Sequence, residues 1–200
     1  IDSKLQKVAE QAFGNLTGSV VAINPRNGEV LALVSMPKFD PNLFVNGISY
    51  KNYDKLRNSN QQPMFNRALS GQYPPGSTTK PFFGLAGLET QTVNSQTKIF
   101  CRGFYRLPKK EHKYRDWKKQ GHGHMNLKGA ITQSCDVYFY SLSYRMGIDK
   151  MSAFLEKFGF GKKTGIDSTG EVTGLLPSRE WKRKTLNQPW FPGETLNTGI

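Results

Sequence analysis

Tyr73-Pro74-Pro75-Gly76-Ser77-Thr78-Thr79-Lys80-Pro81 runs directly into Phe82-Phe83-Gly84-Leu85-Ala86-Gly87-Leu88. The first segment stops the chain, and the second continues it as a helix. Pro74, Pro75 and Gly76 break whatever precedes them. Pro81 has no N–H to donate and is tolerated only within the first turn of a helix. The helix therefore starts at or beside Ser77 and runs towards Thr90, with Phe82, Phe83, Leu85, Ala86 and Leu88 as its apolar body. Three residues along a helix return a side chain to the same face, which brings Lys80 within reach of the Ser77 hydroxyl. A serine hydroxyl is a weak nucleophile until a neighbouring base takes its proton. A lysine acts as that base only while neutral, a state favoured by burial or by nearby positive charge. Free backbone N–H groups at the helix start are suited to an oxyanion on an attacked carbonyl. Ser77 is thus the candidate nucleophile and Lys80 its proton partner.

Ser-x-x-Lys alone is a weak signal. Ser95-Gln96-Thr97-Lys98 matches it equally well, but lies in a polar stretch with no turn-to-helix context and reads as a capping serine with a surface lysine. Ser77 has a companion in Ser134-Cys135-Asp136, the only Ser-x-Asp or Ser-x-Asn in the chain. A second hydroxyl could relay a proton to a leaving group, and the Asp136 carboxylate could hold a lysine or a substrate amide.

Outward from this centre the pattern is mixed. Asp2–Phe13 reads as a short helix with Leu5, Val8, Ala9 and Ala12 on one face. Gly18–Ile23 and Glu29–Ser35 are apolar runs around the turn cluster Asn24-Pro25-Arg26-Asn27-Gly28, a hairpin signature. Residues 37–75 read as irregular, with a short helix near Tyr50–Leu56. Asn126–Met146 carries one or two helices, and Met151–Phe158 another, ended by Gly159-Phe160-Gly161. Val172–Ile200 shows turn formers and no period. The expected class is α+β, with helices packed on an antiparallel sheet. Strands are few, and the chain is expected to be the N-terminal and central part of a domain whose late strands lie beyond Ile200.

The 200 residues carry a formal net charge of +13, concentrated between Arg102 and Lys128, where nine Lys/Arg face only Glu111 and Asp116. Such a patch attracts polyanions, whether nucleic acid, anionic lipid heads or wall polymer, or is simply a solvated surface. No recognisable nucleic-acid module accompanies it. No apolar run is long enough to span a bilayer and no signal peptide opens the chain.

The Ser-x-x-Lys and Ser-x-Asp pair resembles the motif set shared by penicillin-binding proteins and serine β-lactamases. Residues 73–81 resemble the active-site segment of class B penicillin-binding proteins. So do Asp40-Pro41-Asn42, Asn66-Arg67-Ala68, Phe158-Gly159-Phe160-Gly161 and Thr164-Gly165-Ile166-Asp167. Tyr114-Arg115-Asp116-Trp117-Lys118-Lys119 and Gly121-His122-Gly123-His124 resemble the elongation-specific branch found in Gram-negative rods. Asp136 stands where the wider family has Asn, as in a variant of this branch. Lys163-Thr164-Gly165 matches the family's third motif literally, but follows a helix and a glycine turn. It is read as a decoy, aligned with the family's Gly-x-x-Thr-Gly-Ile-Asp connector.

The resemblance implies a penicillin-binding, serine β-lactamase-like transpeptidase fold and a D,D-transpeptidase activity in peptidoglycan synthesis. Ser77, Lys80, Ser134 and Asp136 would be its catalytic residues, D-Ala-D-Ala stem peptides its donors and β-lactams its covalent inhibitors. It further implies a SEDS-family glycan polymerase and other elongation-complex proteins as partners, and a membrane anchor outside this chain. The location would be the periplasmic face of the inner membrane. A β-lactamase or β-lactam sensor of the same fold, or a non-catalytic, basic, zinc-stapled module binding polyanions, are the alternatives.

Both cysteines and all three histidines fall between residues 101 and 135. Cys101, Asp116, His122 and Cys135 are candidate ligands of a structural zinc, since thiolate, imidazole and carboxylate close a tetrahedral site. His112 and His124 compete as ligands, and a Cys101–Cys135 disulfide or a free buried Cys135 are the other readings. No cofactor is needed for the acyl-transfer chemistry itself.

Overall fold

A computed structural model describes residues 1–200. Helices and antiparallel ladders combine in an α+β fold divided into two compact units. One unit comprises Ile1–Tyr73 with Gly165–Val172, the other Pro74–Thr164 with Thr173–Ile200.

In the first unit, helix α1 (Ser3–Ala12) is capped by Asp2, whose carboxylate accepts from the N–H groups of Lys4 and Leu5. It packs on the hairpin of β1 (Gly18–Ile23) and β2 (Val30–Met36), in which Val20 pairs with Val34 and Ala22 with Ala32. The face that meets the hairpin is not the expected one. Of the expected residues only Ala9 turns inward, joined by Gln6, Glu10 and Phe13, while Val8 is 61% exposed. The reason is the free edge of β2. Gln6 donates to Leu33 O at 3.0 Å and accepts from Leu33 N at 2.9 Å, satisfying edge groups that a valine could not.

Helix α2 (Tyr50–Arg57) lies where expected, with Ser49 as its cap. The 3-10 turn Pro41–Phe44 and helix α3 (Arg67–Ser70) were not legible in the sequence. Both are one-turn elements fixed by a capping side chain, Asp40 and Asn66 respectively. The buried Arg67 guanidinium gathers the carbonyls of Gln61, Gln62 and Phe65.

The second unit is built around α6 (Asp136–Met146), buried continuously from Val137 to Ser143. Against it pack α4 (Lys80–Glu89), α5 (Leu127–Thr132), α7 (Ile148–Glu156) and α9 (Pro192–Thr198). Phe83, Ala86, Val93, Phe139, Leu142, Met151, Leu155 and Leu196 fill the core. Burying each large apolar side chain contributes about 1.5–3 kcal/mol.

Helix α8 (Arg179–Leu186), with α9, occupies the stretch read as unpatterned turn formers. Four short strands cross the polar loop: β3 (Ile99–Cys101) pairs β6 (Gly123–Met125), and β4 (Phe104–Tyr105) pairs β5 (Tyr114–Arg115). The ladders of both units are antiparallel and form three separate two-stranded sheets. Lys163-Thr164-Gly165 is irregular and exposed, on no strand. No helix is long and apolar enough to cross a membrane.

One glycine fixes how the β4–β5 region meets the turn that follows it. Gly103 has φ +88°, and a Cβ there would lie 2.1 Å from Lys119 O. Gly103→Ala is therefore expected to destabilise the protein by about 2–3 kcal/mol, read as a lowered melting temperature.

Candidate active site

Ser77 sits in a tight 3-10 turn, Gly76–Thr79, which hands directly to α4 with Lys80 as its first residue. Gly76 enters that turn at φ +57°. Lys80 is 1% exposed, yet its ammonium is fully partnered. It donates to Ser134 O and Ser134 Oγ, each at 3.0 Å, and to Asp136 Oδ1 at 2.5 Å. Three protons meet three acceptors. The Phe139 ring lies 5.5 Å from the nitrogen.

Ser134 Oγ in turn lies 2.8 Å from Ser77 Oγ. Helical spacing predicted a direct reach from Lys80 to Ser77. The structure instead inserts Ser134 between them, in the order Ser77 Oγ, Ser134 Oγ, Lys80 Nζ. The four residues expected at the site thus converge in one cluster.

Ser134 reaches this position through an uncommon backbone. Its φ is +52°, in the left-handed region that a serine enters at a cost of about 1–3 kcal/mol. The turn after α5 holds it there: Ser134 N–H donates to Ile131 O and Cys135 N–H to Ala130 O. This aims both the carbonyl and the hydroxyl of Ser134 at Lys80.

A residue that sequence reasoning did not single out completes the arrangement. Trp117 N–H donates to Asp136 Oδ2 at 3.1 Å, and its indole Nε1–H to Gln133 O at 3.1 Å. One oxygen of Asp136 is thereby fixed on the lysine and the other on the Trp117 backbone. A backbone donor leaves no mark in a sequence, so nothing in the residue types could have found it.

A family model described as the penicillin binding protein transpeptidase domain matches residues 18–200. The chain belongs to this penicillin-binding protein transpeptidase family. It is 50% identical over all 200 residues to the peptidoglycan D,D-transpeptidase MrdA of Acinetobacter baumannii, and spans 30% of that relative's length. Among solved structures it is similar to Pseudomonas aeruginosa PBP2 in complex with WCK 5153. There the identity is 53% and the TM-score 0.96, covering 100% of this chain and 45% of the other. It is also similar to PBP2 from Helicobacter pylori in complex with MreC, with 42% identity and a TM-score of 0.94. That match covers 98% of this chain and 36% of the other.

Next to the serine–lysine cluster the chain carries a second one. Asp116 Oδ2 lies 3.5 Å from Cys101 Sγ and 3.5 Å from Cys135 Sγ. His122 Nδ1 lies 3.6 Å from Cys101 Sγ and 3.4 Å from Asp116 Oδ1. All four ligand atoms fall within 4.8 Å of one another. A tetrahedral zinc with bonds of 2.0–2.3 Å needs neighbouring ligands about 3.3–3.8 Å apart, so the donor set fits in chemistry, and four of its six pairs lie at that spacing. The cysteines are not joined to each other. His112 packs edge-on against Tyr114 and His124 lies beside Phe100, both outside the cluster.

Burial pushes the Cys135 thiol up, helped by neighbouring Cys101 and Asp116. Burial also opposes ionisation of Asp116. The N–H groups of Lys118 and Val137 and the two thiols more than offset it, holding that carboxyl below its usual range. A thiolate in this site is therefore costly without a cation.

Proposed function

We propose that the chain carries the nucleophile half of a peptidoglycan D,D-transpeptidase site, acting through an ester on Ser77. The observation that carries this reading is the continuous Ser77 Oγ–Ser134 Oγ–Lys80 Nζ chain, with links of 2.8 and 3.0 Å. Ser77 Oγ attacks the carbonyl between the two terminal D-alanines of a stem peptide. Its proton passes to Ser134 Oγ, and the Ser134 proton to Lys80 in its amine form, which keeps two N–H groups for Ser134 O and Asp136 Oδ1 and turns its lone pair to Ser134 Oγ. Asp136 holds the lysine in place and balances the charge it acquires. The carbonyl–nitrogen bond then breaks, and the relay returns a proton to the departing D-alanine amine. An amine of a neighbouring strand attacks the ester, loses its proton to the relay, and restores Ser77. Backbone N–H groups at the uncapped start of the Gly76–Thr79 turn are the donors available to the oxyanion. β-Lactams enter the same path as donor mimics and remain on Ser77.

Cys101, Asp116, His122 and Cys135 would hold a zinc whose contribution is to close the β3–β6 region, with no part in the acyl transfer. The site would work at the periplasmic face of the inner membrane, alongside elongation-complex proteins and a SEDS-family glycan polymerase. Similarity to a PBP2 solved in complex with MreC supports the first of these partners.

Intact-mass measurement after incubation with benzylpenicillin, followed by peptide mapping, tests the nucleophile. One stable adduct on Ser77, absent from Ser77→Ala, is expected. An adduct on another residue would refute the assignment.

A further inference from the structure

One end of the basic stretch singled out in the sequence, Lys118-Lys119, adjoins the acylation site through Trp117. Arg106, Lys109, Lys110 and Lys113 stand on the β4–β5 loop, and Lys118 and Lys119 on the turn that follows β5. All six are exposed, and none is paired with an acid. Of the two acids in the stretch, Asp116 is 3% exposed and turned into the zinc cluster, so Glu111 alone opposes them at the surface.

Four of the six cations stand on fixed supports. Arg106 and Lys113 flank one ring, Phe104, at 5.3 and 4.8 Å. The Lys118–Lys119 turn is pinned by Lys118 N–H on Asp116 Oδ1, by Gly121 N–H on Lys118 O, and by the close approach of Gly103 to Lys119 O. Holding like charges together without counterions costs stability, which a multivalent anion would return.

Placement selects the anion. Lys118 directly follows Trp117, whose N–H is bonded to Asp136, itself on Lys80. The Lys118–Lys119 end of the ridge therefore adjoins the reacting centre. Tyr105, Leu107 and Tyr114 pack against the core, and half-buried Phe104 lies under two cations, so the hairpin lacks the apolar face that a membrane-surface element inserts. Phe104 is already occupied by two cations and offers no free platform for a nucleic-acid base.

We propose that this ridge is a docking site for carboxylate groups along the peptide of the substrate strand, holding it beside Ser77. The proposal rests on the acyl-transfer reading above. Single exposed ion pairs contribute little, so binding here is cooperative over several cations and sensitive to salt.

The test is fluorescence anisotropy on this chain, with two labelled peptides ending in D-Ala-D-Ala. One bears side-chain carboxylates, and the other has the same sequence with those groups as carboxamides. The carboxylate peptide is expected to bind about tenfold tighter, with the difference vanishing at high salt. K118E/K119E should remove about tenfold of its affinity, and R106E/K113E several-fold, with little change for the carboxamide peptide. Should K118E/K119E unfold, the R106E/K113E pair on the exposed loop carries the test. Equal binding of the two peptides, or variants indistinguishable from the parent, overturns the proposal. So does equally strong, equally charge-dependent binding of phosphatidylglycerol vesicles or single-stranded DNA, which would make the ridge a general polyanion surface. Penicillin labelling of Ser77 is scored separately. Its absence sinks the acyl-transfer reading, whereas its presence with carboxylate-independent peptide binding sinks only the ridge.

Discussion

Lys80→Ala is expected to slow the labelling of Ser77 by benzylpenicillin by about 10²–10⁴-fold, the span ascribed to a positioned general base. The protein should lose stability at the same time. Alanine leaves Asp136 Oδ1, Ser134 O and Ser134 Oγ without the donor that held all three. Removing one member of a buried pair costs about 3–5 kcal/mol, and the 15% exposure of Asp136 places the effect at the lower end. For a chain of this length each kcal/mol moves the melting temperature by about 2–4 °C. Lys80→Arg separates the two consequences. The guanidinium restores a cation beside Asp136 but cannot take up a proton, so most of the stability should return while the rate does not. A Lys80→Arg variant that labels at the parent rate would show that Lys80 is not the proton acceptor.

Asp116→Ala should have the largest purely structural effect. Asp116 accepts from Lys118 N–H, Val137 N–H and both thiols, and lies against His122 Nδ1. Its removal orphans the buried Val137 N–H, at about 1–3 kcal/mol, and the partly buried Lys118 N–H, and takes away one of the four residues proposed to hold zinc. Metal analysis is expected to give one zinc per chain for the parent and none for the variant, with a much lower melting temperature for the variant. Chelation of the parent should reproduce part of that loss, because a ligand bound only to the folded state stabilises it by mass action. Parent protein free of zinc that loses two thiols on oxidation would favour a Cys101–Cys135 disulfide instead. The pH dependence has a definite sign. The Asp116 carboxyl is held low in the folded state. Its contribution is therefore present above the unfolded carboxylate value and is lost as the pH falls through the lower folded one.

The serine–lysine pair was legible because it lies on a helix start, where two prolines, a glycine and an apolar run fix both register and direction. Ser134 and Asp136 were legible as chemistry, but their geometry was not. The left-handed φ of Ser134 depends on how α5 ends against α6, a tertiary matter. Strands β3 to β6 escaped notice because two- or three-residue segments have no period to read. Helix α8 escaped because its one buried residue is Lys182, held by Glu194, and a charged pair looks like surface in a sequence. The face of α1 was misjudged for a related reason. Its governing contact is Gln6 on a strand edge, and apolar periodicity is blind to hydrogen bonds.

Two short stretches of chain serve both clusters. Asp116 points into the thiol–imidazole group and Trp117 N–H into the Ser77 group. Cys135 belongs to the former, while Ser134 and Asp136 on either side belong to the latter. Neighbouring residues are separated by one Cα–Cα step of about 3.8 Å, so neither cluster can shift without dragging the other. Substitutions in the two clusters should accordingly be epistatic. Double-mutant cycles between Asp116 and Asp136 should return a coupling energy of about 0.5–3 kcal/mol although their side chains serve different centres. In a population selected for altered drug reactivity at Ser77, compensating changes would then be found among Cys101, His122 and Cys135 as well as beside Ser77 itself.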